Sequence, residues 1–168
     1  DVCSSDLDIP PGTEPALLSQ PPADLAVGSP DAATLHHLQG RTVWLVHPWA
    51  LRAPPPDLPL DTLVIGVYPQ EHHAIWPWPA ARWRWVDAAM SSVTPHRWHV
   101  DASRLATALS GAAQVRSIAD PHIADWLRRI ASPDPAPALF PPVDRRCTSF
   151  SHWWSRATRG LRNATELL

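Results

Sequence analysis

The 168-residue chain has no lysine and only two cysteines, one methionine, one tyrosine and six glycines, and each scarcity narrows what it can be. Cys3 and Cys147 stand at opposite ends of the sequence. That separation argues against a disulfide framework and against a zinc ribbon built on paired thiolates, and it fits a reducing, cytoplasmic setting. No apolar run approaches the roughly 18 residues that cross a bilayer, so no membrane span is expected. The few glycines form neither G-x-G-x-x-G nor G-x-x-x-x-G-K-[ST]. The first strong apolar run continues instead into His47-Pro48-Trp49-Ala50-Leu51, which offers no phosphate cradle for autonomous dinucleotide or ATP chemistry. A G-x-S-x-G elbow is also missing and neither cysteine has a nucleophile's surroundings, so no catalytic residue is assigned.

What is abundant is equally informative: 21 prolines, ten tryptophans and fourteen cationic side chains that are all arginine. With 45% apolar and 18% charged residues, the chain suffices for one core of ordinary size. Its charge is segregated. Residues 1–40 carry six acids (Asp1, Asp6, Asp8, Glu14, Asp24, Asp31) and no arginine, whereas 41–168 carry fourteen arginines against ten acids, a balance of +4. Residues 1–40 therefore read as a proline-rich extended linker, its front end truncated or artificial, in which only Asp31 to Leu35 after Pro30 offers a helical turn.

Beyond Gly40, apolar β-rich runs alternate with helical patterns at intervals of ~20–30 residues, the signature of repeated strand–helix units. The expected domain, 41–168, is α/β: a small Rossmann-like parallel sheet of about five strands flanked by helices. The strands fall at Thr42 to Val46, Leu63 to Tyr68, Trp98 to Val100, Gln114 to Ile118 and Ala138 to Phe140. The first two are nearly unbroken apolar runs, as strands covered on both faces must be. One helix spans Pro79 to Val93, with Trp83, Val86 and Met90 on one stripe. A second starts after Asp101 and ends at Gly111, a third follows Asp120-Pro121, and a fourth follows Ser149, with Phe150, Trp153, Trp154 and Ala157 before Gly160. The proline-dense stretches Ala53 to Pro59 and Pro133 to Pro142 are surface loops.

Four groups of residues bear on function. The histidines His47, His72 and His122 fall at strand ends, where a zinc site needs three or four converging ligands. Their spacing matches no metal motif and histidines in proline-rich loops are ordinarily hydrogen-bonded fixtures, so no metal is assigned. Ligands of open α/β sheets bind outside the carboxyl ends of the strands, which makes His47, Trp49, His72 and Trp76 the candidates for holding a small molecule. Trp83, Trp126 and Trp153 sit at core spacing, but Trp76, Trp78 and Trp85 fall off the stripe and are read as a docking patch for another domain. Arg145, Arg146, Arg156, Arg159 and Arg162 form a late basic cluster whose guanidinium forks suit phosphates, and Arg145, Arg146, Arg156 and Arg159 are the candidates for a DNA contact. Without interleaved exposed aromatics or a groove-reading element, the preferred reading is a solvated face that pairs with a neighbour's carboxylates.

Certain stretches also resemble a known family. Val43-Trp44-Leu45-Val46-His47-Pro48-Trp49-Ala50-Leu51, Trp76-Pro77-Trp78 with Arg82-Trp83-Arg84-Trp85, Asp120-Pro121-His122 with Trp126-Leu127, and Ser149-Phe150-Ser151 with Trp153-Trp154 and Arg156-Ala157-Thr158-Arg159-Gly160 carry it. They resemble the C-terminal portion of bacterial FAD-binding proteins of the photolyase/cryptochrome superfamily, from about Thr13 to Leu168. The resemblance implies a parent flavoprotein whose helical FAD-binding domain precedes this α/β, antenna-like domain, the reverse of the order in ordinary photolyases. The parent would use FAD in light-dependent DNA repair or in blue-light signalling. This domain would be non-catalytic, would pack on the helical FAD domain, and as in many members would be suited to a pterin or deazaflavin antenna. Flavin-binding and lesion-binding residues of that family belong to the helical domain and have no counterpart here. The loop after the first strand also lacks the Arg-Asp-Leu-Arg stretch common in standard photolyases. The resulting expectation is an accessory domain that docks on an FAD domain; the alternative is a module that binds an antenna chromophore or nucleotide.

Overall fold

The apolar runs become the strands of one sheet because their alternate side chains meet two separate sets of covering elements. The computed structural model describes residues 16–138, 140, 143–161 and 163. In chain order the elements are β1 (Leu17–Leu18), α1 (Ala32–His37), β2 (Thr42–Val46), β3 (Leu63–Pro69), α2 (Gln70–Ile75), β4 (Trp78–Pro79) and α3 (Ala80–Ser91). There follow β5 (Arg97–Val100), α4 (Ala102–Ala108), β6 (Gln114–Ile118), a 3-10 turn (Pro121–Ile123), α5 (Ala124–Arg128), β7 (Ser132–Asp134) and α6 (Phe150–Ala157). The chain divides into two compact units, one ending at Asp134 and the other starting at Pro135.

The first unit holds a five-stranded sheet in the order β5-β3-β2-β6-β7, with every neighbouring pair parallel. It is an α/β sandwich of the small Rossmann-like kind, as expected. Val43, Leu45, Ile65, Val67, Trp98 and Val100 point to one face and pack with Leu38, Leu105, Trp126 and Leu127. Trp44, Val46 and Tyr68 point to the other, where Trp78, Trp83, Val86 and Met90 cover them. The expected stripe of α3 is thus its buried face. Gly66 in β3 makes this close packing possible, because a Cβ there would lie 2.3 Å from Met90 Sδ.

Strands β2 and β6 have the expected limits, while β3 runs one residue further and β5 starts one earlier. The strand expected over Ala138 to Phe140 is a correction: Ala138 and Phe140 lie outside any strand, and Leu139 is outside the described residues. The fifth strand is β7, paired in parallel with β6 through Ser117 and Pro133. Pro133 disguises it, since a residue without an N–H signals a loop, yet at a sheet edge that missing donor costs no ladder bond. Helix α2 carries no apolar period in Gln70-Glu71-His72-His73-Ala74-Ile75 and has no counterpart in the sequence reading.

Helix α4 starts where expected, with Asp101 Oδ1 accepting from the Arg104 N–H at 2.8 Å. It stops at Ala108 rather than at Gly111, whose φ is not positive; among the described residues Gly40 and Gly160 are the glycines with left-handed backbone. The Asp120-Pro121 start opens as a 3-10 turn before α5, with Asp120 accepting from the His122 N–H.

The described part of the acidic segment is largely extended and fastened to the sheet unit. Leu17 and Leu18 pair with Pro79 and Trp78, the Leu18 carbonyl accepts from Trp83 Nε1 at 3.1 Å, and Gly28 exchanges backbone bonds with the β5 edge. Asp31 then caps α1, accepting from the Thr34 N–H at 2.9 Å.

In the second unit, Ser149 caps α6 by accepting from the His152 N–H at 3.1 Å, and Gly160 ends the following turn at φ 91°.

Candidate functional site

The connections β2 to β3 to β5 step outward on one side of the sheet, and β6 to β7 step outward on the other. The order therefore reverses between β2 and β6, and the loops leaving their carboxyl ends diverge into a crevice, the usual ligand position of such sheets. The first loop is His47-Pro48-Trp49 and the second Ala119-Asp120-Pro121-His122.

His47 is fully buried at the mouth of this divergence, and its Nε2–H donates to the Ile118 carbonyl at 2.9 Å, joining the ends of β2 and β6. Burial holds its pKa below the usual imidazole range, so the ring is a neutral strut at pH 7. Trp49 stands above it. Its ring lies nearly parallel to His122 (5.8 Å, 11°) and edge-on to both His72 (4.6 Å, 76°) and Trp78 (6.1 Å, 63°). Asp120 Oδ1 lies 2.9 Å from His122 Nδ1 and orients that ring. His72 is partly buried, and its pKa is lowered by desolvation and by the neighbouring His122.

The resulting cleft encloses about 750 Å³ between Trp49, His72, Trp76, Trp78, Arg82 and His122. That volume lies within the ~300–1,000 Å³ of small-molecule sites. Arg82 lies 4.4 Å from the centroid of the Trp78 ring and makes no ion pair among the described residues. Among the described residues no carboxylate lines this cleft, and Arg82 is its one permanent charge. A smaller recess of about 310 Å³ adjoins it across His72, Trp76 and His122. Glu71 borders that recess and accepts from the Ala102 N–H and from Trp126 Nε1 at 2.9 and 3.0 Å, tying α2 to α4 and α5.

Of the four small-molecule candidates, Trp49, His72 and Trp76 converge on the cleft, and His47 lies among the residues that brace it rather than in its wall. The docking set divides. Trp76 and Trp85 are 64% and 70% exposed, but Trp78 is buried at 3%, which corrects its expected place on an exposed patch. Trp78 is off the α3 stripe because it precedes the helix. The short β4 pairing with Leu18 turns its ring inward against Trp83 (5.1 Å) and His73 (4.3 Å). Arg82 belongs to the site's wall, and the fully buried His73 packs behind Trp78; neither was among the sequence-based candidates. Arg82 stands four residues after Trp78 within the Trp-rich run, a spacing that could have drawn attention to it.

The histidines His47, His72 and His122 form no group placed to hold a metal ion; among the described residues no such His, Cys, Asp or Glu group occurs. Arg145, Arg146 and Arg159 are exposed in the second unit, and Arg156 Nε donates to His152 Nε2 at 2.9 Å. The Cys147 thiol is free, and Cys3 lies outside the described residues. No described helix is long and apolar enough to cross a membrane. Comparisons with family models, with curated proteins and with solved structures find no match to this chain, so the photolyase/cryptochrome resemblance rests on the quoted motifs alone.

Proposed function

We propose that this chain is a non-catalytic α/β binding module whose ligand is a planar aromatic small molecule, an antenna chromophore or a nucleotide, taken into the cleft at the carboxyl ends of β2 and β6. The observation that carries this reading is the convergence of Trp49 and Trp76 with Arg82, backed by the buried Trp78, at the point where the strand order reverses. Indole faces bury a flat heterocycle, and an arginine without a carboxylate partner favours a ligand bearing negative charge. The motif resemblance gives the module a setting: the accessory domain of a photolyase/cryptochrome-like flavoprotein, with FAD in a helical domain and a pterin or deazaflavin as its own antenna. A reducing, cytoplasmic location suits the scarcity of cysteine.

Equilibrium dialysis of the purified chain against a flavin mononucleotide, a reduced folate, a deazaflavin and adenosine phosphates tests the binding reading. Binding to at least one of them is expected, weakened about tenfold or more by Trp49→Ala, a loss of ~1–3 kcal/mol of stacking. No measurable affinity for any of the four classes refutes it.

A second reading is favoured by one observation, the 70% exposure of Trp85 on α3. In that reading the exposed indoles Trp76 and Trp85 are covered by a helical FAD domain of the parent protein.

A further inference from the structure

We infer that the second unit is a binding platform for single-stranded nucleic acid, distinct from the small-molecule cleft. Helix α6 spans Phe150–Ala157. Ala157 is buried and Trp153 half-buried, with Phe140 edge-on to Trp153 (5.4 Å, 78°) and to Trp154 (5.3 Å, 65°). This packing leaves two rings for a partner, Phe150 at 71% and Trp154 at 44% exposure, with centroids 5.8 Å apart and planes 31° from each other.

Charge then selects the partner. Residues 143–161 contain Arg145, Arg146, Arg156 and Arg159 against one acid, Asp144, and none of the four arginines makes an ion pair among the described residues. Arg145 and Arg146 precede the two open rings in the chain and Arg159 follows them, while Arg156 is half-buried against His152. Exposed arginines and open aromatic rings together are the elements that hold a single strand, guanidinium forks taking phosphates and rings stacking on bases of any sequence. Two rings on a two-turn helix offer too little apolar surface for stable insertion into lipid, but they match one or two unstacked bases.

Fluorescence anisotropy of the full chain with labelled oligo-dT and oligo-rU tests the inference. Both probes bind at about 50 mM salt and weaken steeply towards about 200 mM, and they bind alike because stacking and phosphate contacts do not read the 2′-OH. The double variant Phe150→Ala/Trp154→Ala loses about tenfold or more in affinity with an unchanged salt slope, while Phe150→Tyr/Trp154→Phe, which keeps the rings and the fold, retains binding. Arg145→Gln/Arg146→Gln lowers the salt slope by about 1.4, as two phosphate contacts on a single strand require. The inference is overturned by absence of binding at low salt, by equal competition from oligo-glutamate, or by preference for vesicles of anionic phospholipid.

Discussion

His73 supplies the sharpest quantitative test of how the cleft is built. Its ring is fully buried, and the backbone of Trp76 offers it only a minor hydrogen bond that does not offset the burial. Trp78 and Trp83 lie 4.3 and 4.4 Å away, centroid to centroid. Burial, reinforced by the positive charge that His72, His99 and Arg82 would present, pushes its pKa down to about 3. The indoles offer some cation–π compensation to an imidazolium, up to ~2 kcal/mol, but desolvation opposes it and wins.

In the unfolded chain the same ring titrates near 6.5. Below that pH the unfolded state binds a proton that the folded state refuses, so stability is complete above about pH 6.5 and falls as pH drops towards 3. The slope contributed by His73 alone approaches 1.4 kcal/mol per pH unit, or roughly 2 kcal/mol lost by about pH 5. Urea unfolding followed by tryptophan fluorescence, at intervals from about pH 7.5 to pH 5, measures it. This window lies above the one in which the hydrogen-bonded carboxylates of Asp24, Asp31 and Asp101, whose pKa values are lowered, begin to protonate. His73→Phe keeps a ring of similar shape and removes the titration, so its profile is flatter by that slope. A wild-type stability independent of pH across this window, or an undiminished slope in His73→Phe, refutes the reasoning.

Asp87 is paired with Arg97 at 2.8 Å, with side chains 8% and 10% exposed, and also accepts from the Tyr68 hydroxyl at 3.1 Å. Asp87→Ala therefore strands a guanidinium and is expected to cost about 3–5 kcal/mol in chemical denaturation, whereas a loss under about 1 kcal/mol contradicts the pairing. Trp78→Ala opens the wall between cleft and core and should cost about 3–5 kcal/mol, while Trp85→Ala leaves stability within about 0.5 kcal/mol. In co-expression with a helical FAD domain, Trp85→Ala should nonetheless abolish the complex; a complex that survives the substitution removes the docking reading.

Local signals carried much of this architecture. Thr42–Val46 and Gln114–Ile118 form strands because β-rich runs between turn residues have few other places to go, and Asp31, Asp101, Asp120 and Ser149 mark helix starts because each side chain satisfies a backbone N–H that the helix leaves open. What local signals omitted were features that depend on a neighbour. Helix α2 has no amphipathic period because it sits at the strand ends, where Glu71 reaches two other helices. Strand β7 contains Pro133 because only an edge position tolerates it.

The same division holds at the candidate site. Chain order and turn residues placed Trp49, His72 and Trp76 after strands, and a parallel sheet collects such positions at one end, so their shared location followed from the sequence. Tertiary structure alone decided which rings face the cleft. The pairing of Leu18 with Trp78 turns an apparently free indole into a wall, and residues distant in sequence are joined when His47 bonds to the Ile118 carbonyl. A pattern of residue types specifies which face of its own element a side chain occupies, whereas the burial of that face depends on contacts with segments far along the chain. For that reason composition foretold an indole-rich surface, and only the folded chain separated Trp78, inside it, from Trp76 and Trp85, which remain exposed.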